Sequence, residues 1–599
     1  MRSLHCSRIH LGKADGSFGK EEDIVEGERG VPMQRQAFFR RMTPFLFICL
    51  VALVVVACGG ISPSITSQFT PAPPDKQVLH LPLGAPDFSS LDPALAAITG
   101  DVYAVSAIFT GLVRLNGDGT VADQLATSHQ VSPDGLTYTF TLPSGLHFSD
   151  GTPLTATDVA YSINRAIAPA THAPLASFLQ SIKDYSKMIT GQMPTLIGDS
   201  LLVRDEQTIV IQLGHPAPYF LSGLAQPLTF PVNKKLIAKY GTAWTDHLEE
   251  GAGDGPFKVA SYSHSTGLTL VPNPTYYGPK PKLQKVEILP SSDTSVTYKE
   301  YQAGQLDLTF VPAVDLASVK SQRDYKHAPT LDVSFLEMNY LAKPFDNIKI
   351  RQAFALAIDK DTLAQYVLRG AVLPTNHILP QGMPGYNRSL TGPTGVVATQ
   401  GDQSLARRLL QEGMQEDGYS SVSQLPQITF SYYEDKDIAN VALALIQQWQ
   451  VVLGITVRPS VEISSVLVQQ MTNTTGNACP LQLWILGYGN YADPQGWLSV
   501  FFGKGGAFNN MNYGQNHSSD AVLQQAVQTE LQQADFNLNP TQRMQQYNDA
   551  EQKLVNDVAW LPLYQLEIQL LVNPKLQNYP VNSLGIVEPD AWTNIYFAQ

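Results

Sequence analysis

A βαβ unit constrains this chain more than any other segment. Residues 428–433 alternate as a strand does, an apolar run over 438–453 is long enough only for a helix, and Gly454 stops it before a second strand at 455–458. Such a unit closes right-handed, with its two strands parallel. A further apolar segment, 481–486, follows Pro480 without a helix cap, is interrupted only by Gln482, and reads as a buried strand. It empties into a loop over 487–496, where Gly487, Gly489 and Gly496 mix with Tyr488, Asn490, Tyr491 and Asp493. Glycines let backbone approach a partner closely, and the end of a strand in an α/β sheet is where ligands are usually held.

The upstream half reads the same way. Strands are expected at 79–83, 137–142, 255–259, 268–277, 285–289 and 306–311, with turn chemistry at 132–135 and 264–267. Thr155 stands three residues before Asp158, a capping-box spacing, and Val159 and Ile163 share the face of the helix it starts. A second helix, 296–303, ends at Gly304. At 599 residues the chain is too long for one core, so several domains are expected.

Composition excludes several classes. With 44% hydrophobic and 15% charged residues the chain is globular, not disordered. The net charge of −13 argues against nucleic acid as a partner. No nucleophile elbow, zinc-protease helix, phosphate loop or dinucleotide fingerprint occurs, and the 12 histidines lack metal-ligand spacing, so neither metal nor cofactor is expected. The adjacent Glu249 and Glu250 form a solvated pair in a polar loop rather than an acid and base across a substrate.

The amino-terminal region is read as a leader. The apolar run 45–57 falls short of the ~20 residues a spanning helix needs, and Arg35, Arg40 and Arg41 precede it as the basic region of a signal peptide. Val55-Val-Ala-Cys58 followed by Gly59 resembles the bacterial lipobox, in which cleavage exposes a cysteine that is acylated. An acidic run, Glu21 to Asp23, does not suit a leader, so translation is expected to start at Met33. The Ser/Thr/Pro-rich stretch 61–74 is a tether. Cys6 and Cys49 precede the cleavage point and Cys58 takes lipid, which leaves Cys479 and no internal disulfide.

Phe148-Ser-Asp-Gly-Thr-Pro-Leu-Thr-Ala-Thr-Asp-Val-Ala-Tyr-Ser162 resembles the signature of the solute-binding proteins of peptide and nickel ABC importers, extracellular solute-binding protein family 5. Pro143 and His147 replace basic residues usual just upstream. Further matches follow in the family's order: Gly255-Pro-Phe257, Asn273-Pro-Thr-Tyr-Tyr277, Gly304-Gln-Leu-Asp307, Arg351-Gln-Ala353 and Trp560-Leu-Pro-Leu-Tyr564.

The resemblance implies an α/β, two-lobed periplasmic-binding-protein type II fold with three subdomains. Its expected divisions are 1–57 signal peptide with a doubtful extension, 58–76 lipid-anchored tether, 77–113 first lobe, 114–225 inserted subdomain, 226–330 first lobe again, 331–564 second lobe and 565–599 return to the first. Two crossings, near 330 and 565, would close the lobes on a ligand. It implies an extracytoplasmic lipoprotein, a monomer anchored to the cell membrane, that captures peptides or peptide-like solutes and delivers them to an ABC permease and ATPase. A ligand-sensing receptor of the same fold and a secreted lipoprotein hydrolase are the rival readings. The implied ligand contacts are Gly487, Tyr488, Gly489, Asn490, Tyr491 and Tyr564. In the family an acidic residue at the position of Asn490 pairs with the peptide's amino group. An amide there cannot neutralise an ammonium, which favours a neutral or blocked ligand.

Cys58→Ser should leave the precursor unacylated and poorly processed, because serine lacks the thiolate that acyl transfer requires. Mass spectrometry of the membrane fraction checks this; a wild-type protein whose amino terminus lies elsewhere would exclude the anchor.

Overall fold

The computed structural model describes residues 69–291, 293–489 and 491–599. The leader, the lipidation position Cys58 and the site candidate Asn490 lie outside the described residues.

The first strand, β1 (Val78–Pro82), buries Leu79 and Leu81 on one face. A short hairpin, β2 (Val113–Leu115) with β3 (Val121–Asp123), leads to four antiparallel strands, β4 (Ser128–Val131), β5 (Thr137–Thr141), β6 (Leu201–Asp205) and β7 (Thr208–Gln212), ordered β4-β5-β7-β6. The β4–β5 turn forms at 132–135, where Gly135 adopts φ +70° and its N–H donates to the Ser132 carbonyl. The helix Ala156–Ile167 starts with both halves of the Thr155/Asp158 capping box and lays Val159 and Ile163 against Tyr138, Phe140 and Ile211.

The chain then returns to β1. A hairpin of β8 (Phe257–Ser263) and β9 (Gly267–Pro272) is followed by β10 (Lys285–Leu289), which pairs parallel with β1 to give the order β1-β10-β9-β8. The core of this sheet, built on Leu79, Phe257, Leu270 and Ile288, also receives Trp592, Ile595 and Phe597 from more than 300 residues downstream. The Gln77 side chain brackets that distant segment: its Nε2 donates to the Phe597 carbonyl at 2.9 Å and its Oε1 accepts from the Phe597 N–H at 2.8 Å.

The largest sheet has seven strands: β11 (Leu308–Phe310), β12 (Tyr325–Met338), β13 (Val372–Pro374), β14 (Ile428–Tyr433), β15 (Val457–Glu462), β16 (Leu483–Gly489) and β17 (Leu561–Val572). Its main path is β11-β17-β12-β16-β14-β15, with β13 paired to β17. The βαβ unit forms as the sequence dictates. Asp435 caps the helix Lys436–Leu453, Gly454 ends it at φ +71°, and β14 and β15 are parallel. The sheet is buried on both faces, by Leu336, Phe430, Ile485 and Trp449 on one side and by Phe335, Trp484, Trp497 and Trp560 on the other. The expected strand 481–486 runs further than its apolar residues do: Asp332, Val333 and Ser334 of β12 pair with Gly489, Tyr488 and Gly487, so a neighbour's ladder carries β16 through the glycines.

β12 and β17 join the two cores. They pair antiparallel from Tyr325–Leu571 to Leu336–Leu561, so that Leu570 and Val572 lie in the core of β1 while Leu561 and Leu563 lie in that of β14. The ladder breaks between Pro329 and Val333, where proline has no N–H to donate. The buried Gln565 side chain fills the break, donating to the carbonyls of Thr330 (2.7 Å) and Gln381 (2.8 Å) and accepting from the Gln381 N–H (2.9 Å).

Glu337, on β12, is fully buried, with the Trp560 indole donating to it at 3.0 Å. Burial pushes its carboxyl up to about 8 from 4.5. Folding therefore takes up a proton between those values: below pH 4.5 the group costs nothing, and above it stability is lost as pH rises toward 8. Glu337→Gln should remove that loss, so urea unfolding at stepped pH should show the variant gaining on wild type by about 1 kcal/mol per pH unit across the window.

Candidate binding site

The C-terminal half of β16 divides its residues between two environments because strand side chains alternate. Tyr488 goes to the face of Val333 and Phe335. Its ring meets Trp497 and Phe501 edge-on at 5.2 and 4.6 Å, and its hydroxyl donates to the Gly496 carbonyl at 3.0 Å. Gly487 and Gly489 go to the other face, beside their register partners Ser334 and Asp332, and both are exposed. A Cβ at Gly487 would meet nothing within 4 Å. At Gly489 a Cβ would stand 2.9 Å from the Leu331 carbonyl oxygen and 3.1 Å from Asp332 Oδ2, so only glycine fits without displacing them. The result is an open trough with a side-chain-free floor.

β14 pairs with β16 only at Phe430–Leu483 and Ser431–Trp484, whereas β12 pairs with it through Gly489. Beyond Trp484, β14 leaves that edge of β16 without a ladder partner. Tyr564, in register with Ser334 on β17, borders the trough from the far side of β12 but is itself only 4% exposed. Burial pushes its hydroxyl up to about 12, keeping it protonated. The trough thus gathers Gly487, Gly489 and, at its margin, Tyr564. Tyr488 lies behind it in the aromatic core.

Tyr491 is buried past the end of β16. Its ring meets Phe178 edge-on at 4.9 Å, and its carbonyl accepts from the Trp497 indole at 3.2 Å. Ala492 packs so closely on the β2–β3 turn that a Cβ at Gly119 would stand 2.8 Å from its own Cβ. Asp493 caps the short turn Pro494–Gly496, accepting from the Gln495 N–H at 2.9 Å. Both its oxygens also accept from Arg543, at 2.8 and 2.6 Å, and both residues are buried. Nearby Asp535 accepts from Ser499 and Tyr547, and burial pushes it up to about 6.

Sequence reasoning missed Arg543 and Asp332. Arg543 sits in a polar helix, Pro540–Asn556, with nothing local to mark it as a buried cation. Asp332 did leave a signal, the one acid in a mostly apolar strand segment at 331–336. Glu249 and Glu250 end a 3-10 segment, where Glu250 is engaged by Lys239 at 2.7 Å. Among the described residues no group of three or more His, Cys, Asp or Glu is arranged to hold a metal. No helix there is long and apolar enough to cross a membrane.

Residues 120–509 match the sequence model of the bacterial extracellular solute-binding proteins, family 5 Middle. The chain belongs to this family. The solute-binding protein is 28% identical over 534 residues to the oligopeptide-binding protein OppA of Bacillus subtilis, covering 88% of this chain and 94% of the relative. It is 28% identical over 507 residues to the probable deoxycholate-binding periplasmic protein YgiS of Escherichia coli, covering 83% and 90%. The structure of the murein tripeptide binding protein MppA in its unliganded open form superposes with a TM-score of 0.72 at 25% identity, over 89% of this chain and 99% of that one. This solute-binding protein therefore has the two-lobed α/β periplasmic-binding-protein fold, is extracytoplasmic, and binds its solute without catalysis.

Removing one partner of a buried ion pair strands the other charge, at a cost of about 3–5 kcal/mol. Arg543→Met should lose about that much in urea unfolding, and adding Asp493→Asn should restore much of it by removing the stranded carboxylate.

Proposed function

We propose that this solute-binding protein captures peptides or peptide-like solutes in the cleft between its lobes. The observation that carries the reading is the far half of β16, an exposed strand edge beside a glycine floor. Such an edge hydrogen-bonds to an added extended chain through its backbone, and the open floor leaves room for varied side chains. Gly487, Gly489 and Tyr564 line the contact, with Tyr488 and Tyr491 setting the path of the loop; Asn490 is kept as a candidate contact. The name of the OppA relative supports a peptide; that of YgiS makes a bile acid the ligand to test against it.

The captured solute is delivered to an ABC permease and its ATPase by a monomer tethered through acylated Cys58. The divisions near 330 and 565 fit this role. β12 and β17 run between the two cores there, and the lobes close by bending that ribbon.

A binder without turnover gains stability with ligand, by about 2.7 kcal/mol at a hundredfold excess over the dissociation constant. A pool of random pentapeptides should raise the melting temperature of the purified full chain, whereas deoxycholate should not. Gly487→Val should keep the ligand-free melting temperature, since its side chain meets open space, and should abolish the peptide response. Stabilisation by deoxycholate alone, or an undiminished peptide response in Gly487→Val, would overturn the assignment.

A further inference from the structure

The fully buried carboxylates among the described residues have partners. Asp92 accepts from Arg165 at 2.9 Å, Asp520 from Arg351 at 2.8 Å, Asp101 from the Ser89 N–H at 3.0 Å and Asp254 from the Thr110 N–H at 3.0 Å. Asp332, on the trough face, has none. It is partly buried, and among the described residues no hydrogen bond or ion pair reaches its carboxylate. Burial accordingly pushes it up to about 6.

Its position is specific. Asp332 faces Gly489 across the β12–β16 ladder, and its Oδ2 occupies space that a side chain at 489 would take. It therefore lies on the trough face, at the end of the open strand edge. Tyr433 lies near it: beyond burial, the charges of Asp435 and Asp332 both raise the Tyr433 hydroxyl. A half-buried carboxylate without a partner is costly, and a cation brought by a ligand offsets that cost with a charge-assisted hydrogen bond.

We propose that Asp332 is the anchor for an ammonium group of the ligand, a free amino terminus, held at the Gly489 end of the trough. The inference rests on the peptide reading above and specifies it. It reverses the expectation, drawn from Asn490, of a neutral or blocked ligand, since the carboxylate comes from the adjacent strand.

The test uses the full chain and three pentapeptide pools: one with free amino termini and no Lys, Arg or His, the same pool N-acetylated, and an acetylated pool carrying one Lys per peptide. Bound peptides are quantified by mass spectrometry. Wild type should retain the free-amino pool at least tenfold over the plain acetylated pool. Asp332→Asn should bring that ratio within twofold, and Asp332→Glu should keep part of it. Asp332→Asn removes an unpaired acid, so its urea midpoint should equal or exceed that of wild type. A Lys pool retained as strongly as the free-amino pool, and lost in Asp332→Asn, would keep the ammonium contact but overturn the amino terminus as its source. Capture without charge preference, or an unchanged preference in Asp332→Asn, overturns the inference and leaves peptide binding intact. No capture of any pool overturns peptide binding and the inference with it.

Discussion

The pairing of β12 with β17 is the constraint on which the rest depends. β17 contributes residues to both major cores, and β12, paired antiparallel along it, holds Leu336 and Met338 in the core of β14, so the two lobes are tied through one two-stranded ribbon. The Pro329–Val333 break puts the least hydrogen-bonded point of the ribbon between the cores. A bend costs least where the ladder is already open. Gln565 spans the break through a flexible side chain rather than a rigid backbone pair, so the backbone groups remain satisfied while the register is free of ladder constraints.

The second lobe treats its charges differently from its cleft. Arg351, wholly buried, is held by Asp520 and by the carbonyls of Phe345 and Asp557, and Arg543 is locked to Asp493. These pairs stiffen the platform, including the turn that follows β16. The buried cations of this lobe are matched to carboxylates, whereas Asp332 at the trough is not. That contrast separates structural acids from Asp332 more sharply than residue type does.

Local rules made much of the fold legible. The βαβ unit, the Thr155/Asp158 cap, the Ser132–Gly135 turn and the Gly454 stop each need only residues a few positions apart, and each forms. The extent of β16 did not follow from its own residues, because the glycines join the strand only through pairing with β12, some 150 positions upstream. The burial of Tyr564 and Tyr491 escaped for the same reason: an aromatic residue suits a core and a cleft wall equally, and only tertiary packing decides between them. Family resemblance pointed to the loop after β16, yet the unpaired carboxylate stands across the ladder from it. Contacts made across a sheet leave no spacing to read.

The bracket between Gln77 and Phe597 bears on how such a chain is made. Trp592, Ile595 and Phe597 complete the core that Leu79 begins, so the first lobe cannot close when its opening strands emerge from the ribosome. Residues up to Ile288 cover most of its hydrophobic face, but the last contacts wait for more than 500 residues. For an extracytoplasmic protein that delay is useful: the core of the first lobe is incomplete, and so less stable, until its closing residues have been made, which favours the loosely folded state that a translocation channel accepts.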